Sequence, residues 1–427
     1  MARVTRTVVV RSVKLSRKDF RVFVELEGIY KSMVEHLVLF AVRSNTTSFI
    51  RLKALKYREL RALHQLPSHY VYTACQDAST RAKSFLRLKK KGLAEKECPE
   101  IRNVNIWLDD HLWKPNGLTS VKIATHKEWV NVDFEPHKQY WKYINGGWKL
   151  ASEAKIKLDR RNRQLVIYLT FFKEAEEYKP RSYLPVDVNE NNVTILVDGT
   201  AYLFETDMEK LVLGYYYRRK SLQEKYDKLH GASSRVKKKV LRKLKEKKKK
   251  SDIRWKIANI VVRTAHEKQS AIALEKLGKK PANSMIKRVE DAQLRHRIFQ
   301  ASLKGIQNTI KEKAREYGVP VVPVNPRNTS KLCPLHSSHI AYDSSRVGKC
   351  SLGGELWHRD VVACWNILSR ALRSNGRLIP LASTATHDPK VLPKRLWARW
   401  KSLLQKTLCY GFEQNEAVEI NGAYIFM

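Results

Sequence analysis

A chain of 427 residues exceeds what one core comfortably organises, so two or three domains are expected. Lys and Arg number 82 against 42 Asp and Glu, a formal charge of +40; that excess is far beyond what solubility requires, and a polyanion partner accounts for it. No apolar run approaches the ~20 residues of a membrane span, no secretory leader is visible, and six irregularly spaced cysteines do not suggest a disulfide framework; we expect a cytoplasmic protein that does not enter membranes.

Residues 4–15 read as a strand on Val8, Val9, Val10 and Val13. Helical spacing then takes over, with Leu26, Ile29, Tyr30 and Met33, and later Leu52, Leu55, Leu60 and Leu63, recurring at three- and four-residue steps. From 101 to 172, short β-segments alternate with turns. These patterns predict a β-barrel over residues 96–180 that the first strand, within 1–19, rejoins and that a helical lobe, 20–95, interrupts. Trp107, Trp113, Trp129, Trp141 and Trp148 can stack on bases, although tryptophans in a β-domain more often fill its core.

A second domain is expected over 181–372. Three strands come first, at 183–188, 193–197 and 201–204, the last two joined by an Asp198-Gly199 hairpin turn. A helical stretch at 208–268 follows, broken near Gly231, then a buried strand at 270–274, an amphipathic helix at 292–317 closed by Gly318, and a strand at 319–324. A polar insert, 325–359, precedes a last helix at 360–372. Three strands, helix, strand, helix, strand, insert, helix is the RNase H-like order, so the fold class is multidomain α+β with an RNase H-like α/β nuclease domain. Residues 373–427 receive no role, beyond a helix expected near 394–408.

Asp187 interrupts an apolar strand, where a charge is costly unless it is paired or binds metal. Glu275 ends the buried run Ala271-Ile272-Ala273-Leu274. Asp360 opens the last helix, where a capping Asp is ordinary. Their placement on first strand, fourth strand and last helix makes them a candidate catalytic trio. Hydrolysis of a phosphodiester by two Mg²⁺ or Mn²⁺ ions needs such converging oxygen ligands.

The insert holds Cys333-x-x-His336, which has metal-ligand spacing, and Cys350 as a third ligand for Zn²⁺. The place where a second CxxC pair would close is Gly353. The fourth ligand is left open between His358, His339 and none. Basic residues clustered after Gly231, namely Lys237, Lys238, Lys239, Arg242, Lys243, Lys245 and Arg254, together with Arg327 and Lys331, are expected to contact nucleic acid.

With these residues in view, the C-terminal half resembles the TnpB family, the nucleases of small insertion sequences related to compact type V CRISPR effectors. The likeness rests on PVDVNENNVT at 185–194, IALEKL at 272–277, NTSKLC at 328–333 and RDVVACWNIL at 359–368. The N-terminal half is similar only in organisation, and its barrel would be the wedge domain and its helices the recognition lobe. The resemblance implies that Asp187, Glu275 and Asp360 form a RuvC-type site holding two Mg²⁺ ions, and that Cys333, His336 and Cys350 are zinc-ribbon ligands. It further implies a DNA endonuclease guided by an RNA from the element toward double-stranded DNA. The chain departs from the family pattern at His336 and Gly353, where cysteines are usual, and at Val362, where Asn is usual.

Two other readings remain. One is a guided protein that binds and represses without cutting; the other is an unguided resolvase or transposase of RNase H-like fold. Oligomeric state has no signature in the sequence.

Overall fold

The structure is a computed structural model that describes residues 2–229, 234–278, 281–343, 345–374, 386–400, 418–420 and 423–425. The chain divides into two compact units, residues 3–174 and residues 175–427 with the first two residues.

In the first unit, strand β1 (Ala2–Ser12) leads into helices α1 (Arg17–Arg43), α2 (Phe49–Leu63) and α3 (Ser68–Lys89). Ser16 caps α1 by accepting from the Asp19 amide at 3.0 Å. Phe23, Leu26, Tyr30, Met33 and Leu37 form its buried stripe, which packs with Tyr70, Ala74 and Ala78 of α3 in one core. The remaining elements are β2 (Ile106–Leu108), β3 (Trp113–Pro115), β4 (Ser120–Ala124), β5 (Trp129–Glu135), α4 (Lys138–Ile144), β6 (Lys149–Asp159) and β7 (Gln164–Ala175).

The strands form one seven-stranded sheet ordered β2-β6-β7-β1-β5-β4-β3. The edge strands β2 and β3 are joined by residues 109–112 alone. A flat sheet would hold those edges about 29 Å apart at ~4.8 Å per strand, whereas the link spans at most about 18 Å. The sheet must therefore curl strongly. Trp113 is buried and donates its Nε1 proton to Ser152 O, Trp141 and Trp148 pack on the core, and Trp107 lies under Lys155; Trp129 is exposed.

The second unit contains β8 (Ser182–Val188), β9 (Asn192–Val197), β10 (Thr200–Glu205), α5 (Met208–Lys228), α6 (Ser234–Lys243), α7 (Glu246–Glu267) and β11 (Ser270–Glu275). Then come α8 (Pro281–Met285), α9 (Ala292–Ala301), α10 (Leu303–Tyr317), β12 (Val321–Val324), β13 (Ile340–Tyr342), β14 (Val347–Cys350), β15 (Leu356–His358), α11 (Arg359–Ser374) and β16 (Lys390–Leu392). The main sheet runs β12-β11-β8-β9-β10-β16. β8, β9 and β10 form an antiparallel meander, and the β9–β10 turn has positive φ at both Asp198 and Gly199, as a two-residue hairpin demands. The α5–α7 crossover returns β11 parallel to β8, and β12 adds parallel to β11.

Gly318 closes α10 with φ +65°, and a Cβ there would collide with the backbone oxygen of Glu176. Both its backbone conformation and the space exclude a side chain.

Three local expectations change. The helix expected over 292–317 breaks at Ser302, whose φ is +52°. Ile298 and Ile306 are eight residues apart, so the apolar phase carries across the break and periodicity cannot reveal it. The basic helical stretch is interrupted at Lys245, φ +56°, while the break expected near Gly231 lies outside the described residues. The tail also has a structural place: β16 pairs in parallel with β10, and Trp397 and Trp400 enter the core, Trp400 donating to Thr264 Oγ1 at 2.9 Å. A 3₁₀ turn occupies Lys394–Arg399, and the rest of the helix expected near 394–408 lies outside the described residues. No helix of the described residues is long and apolar enough to cross a membrane.

Candidate active site and metal centre

β8 is buried on both faces, so its side chains at Leu184, Val186 and Asp187 all lose water; Asp187 is 7% exposed. The parallel register pairing Leu274 with Val186 sets Glu275, the next residue of β11, level with Asp187 on the adjacent strand. Helix α11 crosses β8, β9 and β11 and brings Asp360, in its first turn and 2% exposed, to the same end of the sheet. The helix N-terminus favours a negative charge at that position.

Hydrogen bonds orient all three carboxylates. Asn189 Nδ2 donates to Asp187 Oδ2 at 2.6 Å and to Asn192 Oδ1 at 3.2 Å, while Asn192 Nδ2 donates to Asp360 Oδ2 at 3.1 Å. A side-chain relay thus links the two aspartates. Thr329 Oγ1 donates to Glu275 Oε1 at 2.5 Å, and Asn366 anchors the Thr329 and Leu332 carbonyls from α11. Arg346 Nη1 donates to both oxygens of Asp360, at 2.7 and 2.8 Å.

Burial, and then the charges of Asp360 and Glu275, push Asp187 up to about 8. Burial likewise raises Glu275, against the opposing effects of Thr329 and Arg370. Three oxygen donors that repel one another in a dry setting suit hard divalent cations, which would relieve the repulsion.

The second cluster lies in the insert, where β13, β14 and β15 form a three-stranded sheet. Cys333 Sγ and Cys350 Sγ lie 3.7 and 3.5 Å from His336 Nδ1, and Glu355 Oε2 lies 3.5 Å from the same nitrogen. Donor atoms of these four residues are all within 4.8 Å of one another. Glu355 Oε2 is buried with no hydrogen-bond partner among the described residues. A Cβ at Gly353 would overlap the Glu355 carboxylate and the His336 ring, so the glycine makes room for both.

Burial raises Cys333. Burial also acts upward on Cys350, but hydrogen bonds from Ser338, the Gly353 and Leu352 amides and His336 outweigh it and bring that thiol to about 6. One sulfur is thus poised as a thiolate ligand. The donor set fits one zinc ion.

The fourth donor corrects the expectation from sequence. It is Glu355, not His358 or His339. His358 ends β15 on the Asp360 side, where its Nδ1 accepts from the Asp360 amide at 3.3 Å, and His339 is bridged to Leu332 through the backbone. Glu355 was legible in principle, because carboxylates also bind zinc, although its position two residues after Gly353 falls outside CxxC spacing. Arg346, Thr329 and Asn192 carried no distinguishing signal, since each meets the trio only through tertiary contacts, whereas Asn189 reaches Asp187 from two residues away.

Of the basic residues, Lys238, Lys239, Arg242, Lys243, Lys245, Arg327 and Lys331 are exposed, while Lys237 is half-buried and paired with Asp227. Arg254 departs from the expected surface role. It is half-buried against Gly305 of α10, its Nε has no hydrogen-bond partner among the described residues, and burial lowers its pKa.

Two family models match: the MJ0013 family over residues 26–124 and the Cas12f1-like TNB domain over residues 304–367, the stretch containing the Cys/His/Glu cluster. The chain is 27% identical to the uncharacterized protein MJ0857 of Methanocaldococcus jannaschii, over 52% of this chain and 89% of that protein. It is also 27% identical to the TnpB-like protein MJ0751 of the same organism, over 61% of this chain and 93% of that one. Among solved structures it is similar to Cas12f1 in a complex with sgRNA and target DNA, with a TM-score of 0.53, 16% identity and 82% of each chain covered. That likeness is one of fold: a mixed α+β multidomain architecture. The chain is thus similar to TnpB-like proteins, and its residues 304–367 match the Cas12f1-like TNB domain.

Proposed function

We propose that the protein is an RNA-guided DNA endonuclease whose single RNase H-like, RuvC-type site is formed by Asp187, Glu275 and Asp360. The observation that carries this reading is the convergence of three carboxylates from β8, β11 and α11, the buried Asp187 and Asp360 with the half-buried Glu275, Asp187 being held near pKa 8 by burial and by the other two. No bland role explains Asp187, since an isolated carboxylate inside an apolar strand is costly. When bound, two Mg²⁺ or Mn²⁺ ions would supply Lewis-acid chemistry to the attacking water and to the leaving oxygen.

The chain's own residues set the geometry. Asn189, Asn192 and Thr329 hold the carboxylate rotamers. Arg346 offsets charge at Asp360 while its side chain, 50% exposed, reaches the rim where a phosphate would lie. In the reaction a water oxygen forms a bond to phosphorus, the phosphorus–oxygen bond to the leaving strand breaks, the water's proton passes to solvent, and the departing oxygen is protonated.

A guide RNA would select double-stranded DNA by base pairing, leaving the protein to grip backbones. We assign that grip to exposed lysines and arginines of α6, the α6–α7 junction and the loop after β12, and to a barrel-like wedge (residues 1–19 and 96–180) with its helical lobe (20–95). The similarity in fold to Cas12f1, solved in complex with sgRNA and target DNA, and the +40 charge support this division.

The test is purification with sequencing of bound RNA, then cleavage of matching DNA with Mg²⁺. Wild type is expected to cut and Asp187→Ala to leave DNA intact at equal RNA content. Equal cutting by both overturns the site; cutting by RNA-free protein overturns the guided mechanism.

A further inference from the structure

Residues 3–174 contain another group of metal-type donors, which the nuclease chemistry does not use. His69 lies in the first turn of α3, and Asp109 and His111 lie in the corner joining the edge strands β2 and β3. His69 Nδ1 is 2.7 Å from Asp109 Oδ2. The His111 amide donates to Asp109 Oδ1 at 3.1 Å, and His111 Nδ1 is 3.9 Å from that oxygen. The Leu112 and Trp113 amides both donate to the Asp109 carbonyl, which makes the corner a tight turn and holds its carboxylate toward the helix. The two imidazoles stack with centroids 3.7 Å apart and planes 15° from parallel. One donor atom from each of the three residues lies within 4.8 Å of the others.

We propose that His69, Asp109 and His111 bind one borderline divalent transition-metal ion of the Zn²⁺ or Co²⁺ class, at a site separate from the carboxylate trio and from the Cys/His/Glu cluster. Two imidazoles and one carboxylate are the donor set of three-ligand sites with open positions. Mg²⁺ does not suit it, because that ion demands octahedral oxygen coordination. The side chains are 15% exposed at Asp109, 36% at His69 and 60% at His111, so the uncoordinated side of the ion would face solvent. Water or an anionic oxygen would complete its shell there.

Stacked rings cannot both aim a lone pair at one ion. His111, the most exposed of the three, must turn and give up its 3.0 Å contact with Asp110. Coordination by three ligands outweighs that surface contact, which is worth little in water. The bound ion would tie the start of α3 to the corner where the sheet's edges are joined. Without an ion the same residues form a hydrogen-bonded His–Asp–His group, and that alternative makes a different prediction.

The experiment uses full-length protein, wild type and the His69→Gln/His111→Gln double variant, titrated with Co²⁺ and passed through a desalting column. Bound cobalt is measured by elemental analysis, and the near-ultraviolet thiolate-to-cobalt band reports the cysteine cluster separately. Wild type is expected to retain one more equivalent than the double variant, with the thiolate band equal in both. Equal cobalt content in the two proteins overturns the proposal. Circular dichroism checks that the double variant folds. The exposed single change His111→Gln is a milder control, expected to weaken the extra site at least about tenfold; an unchanged affinity would also overturn it. The nuclease reading does not enter either outcome.

Discussion

The carboxylate trio and the Cys/His/Glu cluster both gather metal-type donors from distant points in the sequence, and they are built in opposite ways. The trio stands on the ends of β8, β11 and α11, elements held by a core that includes Ile272, Val261 and Ile310. Its frame would survive without metal, and its cost is electrostatic. The cluster sits in a short insert whose three strands, of three or four residues each, bury few apolar side chains of their own beyond Ile340 and Trp357. There the donors must hold the frame. Metal at the trio would serve chemistry on a finished scaffold, whereas metal at the cluster would serve folding.

The sharpest break in that comparison is Cys350→Ser. Structural zinc contributes on the order of 10 kcal/mol in small metal-held folds, so the variant should lose its zinc equivalent and its amide protection across residues 328–358, read by elemental analysis and hydrogen exchange. Amides of β8 and β11 should keep their protection. If the insert stays protected without zinc, the cluster is not its frame.

A smaller effect is expected at the trio's support. Thr329→Val removes the hydroxyl that orients Glu275. Loss of such an outer hydrogen bond costs about 10–100-fold in activity or metal affinity. Single-turnover cleavage should fall by that factor while the melting temperature moves little. Unchanged cleavage would show that Glu275 needs no such support.

The smallest effect has the opposite sign. Asp187 has a folded pKa of about 8 and an unfolded value near ~3.9, so between those limits the folded state holds the extra proton. Stability of the metal-free protein should therefore be full below pH ~4 and fall as pH rises toward 8. Asp187→Asn should flatten that slope and, at pH 8, stabilise the metal-free chain by at least about 1 kcal/mol, or roughly 2–4 °C in Tm for a unit of this size. A variant that melts lower than wild type at pH 8 would contradict the electrostatic account.

Much of the second unit was legible from local pattern. The apolar run before Glu275, the Asp198-Gly199 turn and the amphipathic face of α11 each follow from residue type and spacing, because strand and helix periods are set by the backbone. The break at Ser302 was not legible, since the apolar phase continues through it. Strand β16 was hidden because three residues carry no period, and only the open edge of β10 gives them a partner.

What the sequence determined by itself is the inventory: which carboxylates sit where a charge is costly, which cysteines and histidines have ligand spacing, and the excess of positive charge. The tertiary structure decided who meets whom. It chose Glu355 over His358, turned Arg254 inward, set Arg346 on Asp360 and brought His69 beside Asp109 and His111. Those pairings depend on strand register and on how helices cross the sheets, and partners such as Arg346 and Asp360, 14 positions apart, or His69 and Asp109, 40 apart, carry no local trace of it.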